Sequence, residues 1–247
     1  IQVLIDDGYP VRPASVIAEE LDRRGVSLSS LINRHVLALI CTCLVEDLDD
    51  VLGLLADIVM RPVFPDEEVA TKRGEVVTLI GQDEDNPAIM ATEGLLADLY
   101  GAGHGYGRRP RGGVETVEGI DAAALRRFHR ERVRPAAMSL VMVGDVDEQA
   151  AIDAARRAFG DWRGAAPLPV DLGEGLTTSR RRVRAIPMMN KAQADVAYGF
   201  TSIRRSDPAY YAYWLMNNIL GQYALGGRLG DSIREGEGMA YYVFTGL

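Results

Sequence analysis

The sequence predicts an α+β fold made of two homologous domains, each an antiparallel or mixed sheet packed by helices, and each represented here only in part. Three observations predict it. Runs of β-forming residues are followed by runs with helical apolar periodicity, the order expected when helices pack on one face of an antiparallel sheet. A stretch rich in proline and glycine, with little periodicity, divides residues 1–163 from 181–247. Glycines recur at matched spacing, because Gly8 and Gly25 are 17 apart and so are Gly221 and Gly238. In both cases a loop and then a helix lie between the glycines, and a strand follows the second one.

The elements are expected in this order. Pro13 to Arg24 carries Val16, Ile17 and Leu21 on one face and reads as an amphipathic helix stopped by Gly25. Val26 to Leu44 is rich in β-formers and reads as two strands joined around Asn33-Arg34. Leu48, Val51, Leu52, Leu55, Ile58 and Val59 form a helical stripe ended by Arg61-Pro62. Asp66 to Gln82 is a helix with acids in its first turn, where they suit the dipole. Asn86 caps the next helix, Pro87 takes its first position, and Tyr100 ends it.

Glycines 101, 103, 105, 107, 112 and 113 then mark a loop. No strand precedes it and no Gly-Lys-Ser/Thr follows, so it reads as a connection and not a phosphate cradle. Asp121 caps a helix running through Arg132. Met138 to Val143 reads as a buried strand, and Glu148 to Phe159 as a helix. Residues 164–180, with Pro167, Pro169, Gly173 and Gly175, form the linker. Beyond it come strands at Arg182–Ile186 and Ala192–Phe200, then a helix from Asp207-Pro208 to Gly221. A short helix at Arg228–Glu235 follows, and a strand at Met239–Phe244 closes the pattern.

Composition narrows the functional classes. The 247 residues are 47% hydrophobic and 25% charged, which supports a real core. The net charge of −8, from 27 basic and 35 acidic residues, argues against general nucleic-acid binding, since phosphates need Lys and Arg. The short basic cluster Arg180–Arg184 reads as a solvated strand edge. No run of 18 apolar residues occurs, so no spanning helix is expected. Cys41 and Cys43 lie two apart in an expected strand, on one face and too close for a disulfide, so both should be buried free thiols. That fits a reducing compartment without fixing one; a cytoplasmic or periplasmic bacterial location stays open. The sequence begins without Met and reads as cut from something longer.

Several stretches, taken together, resemble the insulinase family (pitrilysin-like and mitochondrial-processing-peptidase-like metallopeptidases). "LLADIVMRPVFPDEEV" is similar to the family's helix-and-proline segment. Residues 82–146 follow the family's central order: D-x-P, then L-Y-x-x-H-P-Y-G, then G-x-x-E-x-I, then a helix into R-P and a strand ending in V-G-D-V. Gly105 stands where that pattern has Pro. "KAQADVAYGF", "DPAYYAYWLMNNILG" and "GRLGDSIREGEGMAYYVFTG" resemble the start of the family's second domain.

The resemblance implies a zinc site that these residues do not supply. Family peptidases use H-x-x-E-H on one helix and a distant glutamate: two neutral imidazoles one turn apart and a carboxylate that activates water. The three histidines, His35, His104 and His129, are far apart in sequence. Aligned on Gly8, the second His falls at Val3 and the Glu at Gln2. Aligned on Pro87, the third ligand falls at Leu79, with Glu75 four residues earlier on the same helix. No metal ligand and no catalytic residue are therefore assigned in this chain, and zinc is expected in a partner subunit.

What the resemblance does carry over is an Arg followed seven residues later by a Tyr, here Arg234 and Tyr241 in "REGEGMAY". By family analogy the Arg holds the substrate backbone, and the Tyr hydrogen-bonds the oxygen that becomes negative as water attacks. A guanidinium is a permanently charged fork, and a phenol aimed at an oxyanion suits a water-poor site. Tyr242 should face the core. Three functions stay open: the non-zinc, substrate-binding subunit of a two-subunit peptidase acting on short or unfolded peptides; a zinc metalloendopeptidase with ligands outside or shifted in this stretch; and a non-catalytic scaffold subunit.

Overall fold

The computed structural model describes residues 14–167, 176, 180–221 and 226–247. Among the described residues the architecture is α+β, about half helical, with one small antiparallel sheet. It divides into two compact units, Ile1–Tyr198 and Gly199–Leu247.

In the first unit, α1 (Ala14–Arg23) runs into Gly25, whose φ of 65° suits glycine and turns the chain into the sheet. β1 (Ser27–Ile32) pairs antiparallel with β2 (Leu37–Thr42), with Leu28 opposite Cys41. The Asn33 side chain makes the turn by accepting from the backbone N–H groups of His35 (2.8 Å) and Val36 (2.9 Å). Cys41 and Cys43 are free, as expected, but half-buried and not buried. The burial they do have pushes both thiols up, with further charge repulsion from Cys43 on Cys41 and from Asp47 on Cys43.

α2 (Leu48–Met60) is the core helix. Val51, Leu52, Leu54, Ala56 and Ile58 are all buried, and the helix packs against α7 (Glu148–Phe159) through Ala151 and Ala154. α3 (Asp66–Glu84) follows, and α4 (Pro87–Tyr100) is capped by Asn86, which accepts from Ala88 and Ile89 N–H, with Pro87 at the first position. A second apolar cluster joins Phe64 and Val69 to Ala122 and Leu125 of α6 (Ala122–Arg132). Short α5 (Val114–Glu118) lies against α3. Asp121 and Asp147 cap α6 and α7 by accepting from Ala124 N–H (2.7 Å) and Ala150 N–H (3.0 Å).

In the second unit, α8 (Tyr210–Leu220) starts just after Asp207-Pro208 and stops at Gly221, whose φ is 152°. The short helix expected at Arg228–Glu235 is instead a π-helix over Gly230–Gly236. Its wider turn is not a property of residue preference, so periodicity could not distinguish it.

The strands expected at Met138–Val143, Arg182–Ile186, Ala192–Phe200 and Met239–Phe244 are a difference. Among the described residues β1–β2 is the only ladder. Val141 and Val143 are exposed, not buried. A strand is stabilised by the N–H and C=O groups of a neighbour, and alternation in sequence reports a face without supplying that neighbour. Tyr242 is likewise exposed, stacked on Phe244 at 6.2 Å between ring centroids, because no ladder buries its face. The expected linker, 164–180, lies largely outside the described residues. The division between compact units falls later, at 198/199, because the segment after the linker packs on the first unit: Ile186 meets Gly94, Arg184 pairs with Asp98, and Lys191 reaches Asp85 at 2.8 Å. The basic cluster is thus partly anchored to α4.

Candidate functional site

Arg234 and Tyr241 lie on one excursion of chain in the second unit. Arg234 sits in the last turn of the π-helix. Its guanidinium pairs with Glu235 at 2.9 Å, and its side chain is half-buried. Its carbonyl accepts from Gly238 N–H (3.2 Å), while Met239 N–H donates to Ile233 O (3.0 Å). Gly238, at φ 61°, supplies the left-handed step that turns the chain out of the helix. Two residues after Met239 comes Tyr241, 84% exposed, so its hydroxyl is open to a ligand. No hydrogen bond joins Arg234 to Tyr241 among the described residues. The fold carries them on one excursion of chain as two separate groups, a fixed positive charge at the end of the π-helix and an exposed phenol beyond it.

The resemblance places Val3 and Leu79 at zinc-ligand positions and Gln2 at the position of the water-activating glutamate. Gln2 and Val3 lie outside the described residues. Leu79 lies on α3 and is partly exposed, a hydrocarbon side chain with no lone pair to offer. Glu75, one turn earlier, pairs with Lys72 at 2.6 Å.

Each histidine is engaged elsewhere. The His129 Nε2–H donates to the Val59 carbonyl at 2.7 Å and tethers α6 to α2. His104 is buried, its Nδ1 accepts from Tyr106 N–H at 3.1 Å, and it stacks on Tyr100 at 5.0 Å. His35 Nε2 and the Tyr106 hydroxyl are 2.5 Å apart. Among the described residues no group of three or more His, Cys, Asp or Glu could hold a metal ion. The described donors therefore do not fit the zinc that the family chemistry uses.

The His35 and His104 contacts belong to a lock that sequence reading missed. The Arg34 guanidinium at the β1–β2 turn donates to the Gly105 and Arg108 carbonyls (2.8 and 3.0 Å) and lies over the Tyr106 ring at 5.6 Å. The glycine loop is thus a connection, as its composition suggested, and it docks the hairpin tip. The partners are 71 residues apart or more, and nothing in local pattern links them.

Comparison with known proteins places these observations in context. Residues 10–106 match the family model for insulinase (peptidase family M16), and residues 119–247 match that for the peptidase M16 inactive domain. An uncharacterized zinc protease of Streptomyces coelicolor is 26% identical over 99% of this chain, and one of Mycobacterium tuberculosis is 27% identical over all of it. The chain spans about half the length of these relatives, 54% and 56%. Among solved structures, a peptidase M16 inactive domain from Pseudomonas fluorescens superposes with a TM-score of 0.74 at 24% identity, covering 96% of this chain and 57% of that one. A Helicobacter pylori protease gives 0.72 at 15% identity, covering 94% and 56%.

Proposed function

Because the chain belongs to peptidase family M16, the insulinase family, we propose that it is the non-zinc, substrate-contacting subunit of a two-subunit peptidase that cleaves short or unfolded peptides. In this reading a homologous partner subunit carries the zinc and activates water. This chain contributes Arg234, which holds the peptide backbone, and Tyr241, which donates to the oxygen that becomes negative. Arg suits its task because it stays protonated and presents several donors in a fixed fork. Tyr suits its task because a phenol placed ahead of the reaction stabilises charge without reorganising when the transition state forms. The peptide adds as a strand to a sheet edge, and β1 and β2 are both edge strands among the described residues.

The observation that carries the proposal is a combination. Arg234 on the π-helix and the exposed Tyr241 seven residues on lie along one excursion of chain, while an apolar Leu79 stands at the position where the family resemblance implies a carboxylate ligand. The test uses the full-length protein assembled with a zinc-carrying subunit and a fluorogenic peptide. Arg234→Ala should raise KM, and Tyr241→Phe should lower kcat by on the order of 10²-fold, the scale for losing an oxyanion donor. Full turnover in both variants defeats the proposal and favours a scaffold role.

A second reading has a specific observation in its favour: the Streptomyces and Mycobacterium relatives carry the name zinc protease. It makes this protein an active metallopeptidase whose ligands lie outside the described residues. Zinc content of the full-length protein separates the two readings.

A further inference from the structure

The excursion that carries Arg234 and Tyr241 begins and ends at the same place. It leaves α8 at Gly221. Gly227 packs back on that turn so tightly that a Cβ there would stand 2.8 Å from Gly221 Cα and 3.0 Å from the Ile219 carbonyl. Its own carbonyl then accepts from Asp231 N–H at 3.0 Å, in the first turn of the π-helix. After Tyr241 the chain returns. Thr245 N–H donates to the Gly221 carbonyl at 2.8 Å, and Thr245 Oγ1–H donates to the Asn217 carbonyl at 3.1 Å. Asn217, a buried polar residue, faces this junction, with Nδ2 3.5 Å from the Thr245 carbonyl.

The segment between these anchors has no ladder of its own among the described residues. The place of Tyr241 is therefore set from its two ends. One end is Met239, tied to the π-helix. The other is Thr245, tied to the end of α8. Of the Thr245 bonds, the backbone one can be made by any residue but proline, whereas the hydroxyl bond is specific to Thr or Ser.

Resting on the functional reading of the Arg234/Tyr241 pair, we infer that Thr245 is a positioning residue for Tyr241, with Asn217 and Gly221 at the end of α8 as its anchor. Thr245 touches no substrate. Its hydroxyl closes the loop and fixes where the phenol stands before the oxyanion develops.

The test compares Thr245→Val, which keeps the shape and removes the hydroxyl, with Thr245→Ser, which keeps the hydroxyl; Thr245→Ala is the second bond-deleting variant. Each is assayed in the full-length protein assembled with a zinc-carrying subunit on a fluorogenic peptide. Each is also made with 3-fluorotyrosine at position 241 for fluorine NMR of the unassembled chain. The inference expects Thr245→Val and Thr245→Ala to lower kcat about three- to tenfold with KM unmoved, the scale of one neutral hydrogen bond. Both should shift or broaden the position-241 resonance, and Thr245→Ser should restore both readouts. An unmoved resonance and unmoved kcat in Thr245→Val overturn it, as does a Thr245→Ser variant as impaired as Thr245→Val. Loss of turnover in Tyr241→Phe beside full turnover in Thr245→Val defeats this inference alone. Full turnover in Arg234→Ala and Tyr241→Phe defeats the functional reading on which it rests.

Discussion

Gly107 stands directly against the backbone of Gly101: a Cβ at position 107 would collide with the Gly101 carbonyl oxygen, and that atom cannot swing away as a side chain could. Gly101 itself turns out of α4 with φ 79°. This close approach folds the loop back so that His104 and Tyr106 stack, and so that Arg34 can reach its two carbonyls. Gly107→Ala should cost about 1–3 kcal/mol, the usual range for overpacking a closed site. Gly103→Ala, where a Cβ meets nothing within 4 Å, should cost far less. Urea unfolding of the two variants checks the contrast.

His129 offers a second contrast. Its imidazole bonds the Val59 carbonyl and lies tilted against Phe64 at 6.3 Å. His129→Phe should destabilise by about 1–3 kcal/mol, because the partly buried carbonyl loses its donor. As a histidine engaged by a backbone carbonyl and not by metal, it should leave zinc content unchanged when replaced. Thermal melts and metal analysis of the variant test both halves.

Arg109 joins three parts of the first unit, pairing with Glu84 at 2.7 Å on α3 and with Glu93 at 2.6 Å on α4. Those two side-chain bonds hold its guanidinium above even the ordinary arginine range, with burial opposing them. Arg109→Ala strands the mostly buried Glu93, at a cost of about 1–2 kcal/mol after allowing for the more exposed Glu84. Arg109→Lys cannot serve both carboxylates as a fork and should recover only part of the loss. Chemical denaturation of both variants is the check.

Helix positions were legible in the sequence, because caps and periodicity are local. Asn86 and Asp121 cap where they were expected to, and Val51, Leu52 and Ile58 of the expected stripe are buried. Strands such as Met138–Val143 were legible as patterns and not as pairings, since pairing depends on a distant neighbour. The Arg34–Tyr106 lock and the π-helix under Arg234 were invisible for related reasons: one joins residues remote in sequence, and the other is a backbone choice that local preference does not encode.

The cysteines give a pH prediction. Folded Cys41 and Cys43 hold their protons to higher pH than unfolded thiols do, chiefly through burial. A raised thiol contributes stability that is complete below the unfolded value and is lost as pH rises through the folded one. Near pH 8.5, where an unfolded thiol is about half ionised, iodoacetamide should label both cysteines more slowly in the native protein than in urea. Equal rates in the two states would contradict the burial account.

The most direct measurement is metal analysis of the purified full-length protein, coupled to peptide cleavage by that protein alone and after mixing with a zinc-carrying homologous subunit. The account predicts far less than one zinc per chain, no cleavage alone, and cleavage on mixing that depends on Tyr241. One firmly held zinc per chain together with unaided cleavage would contradict it.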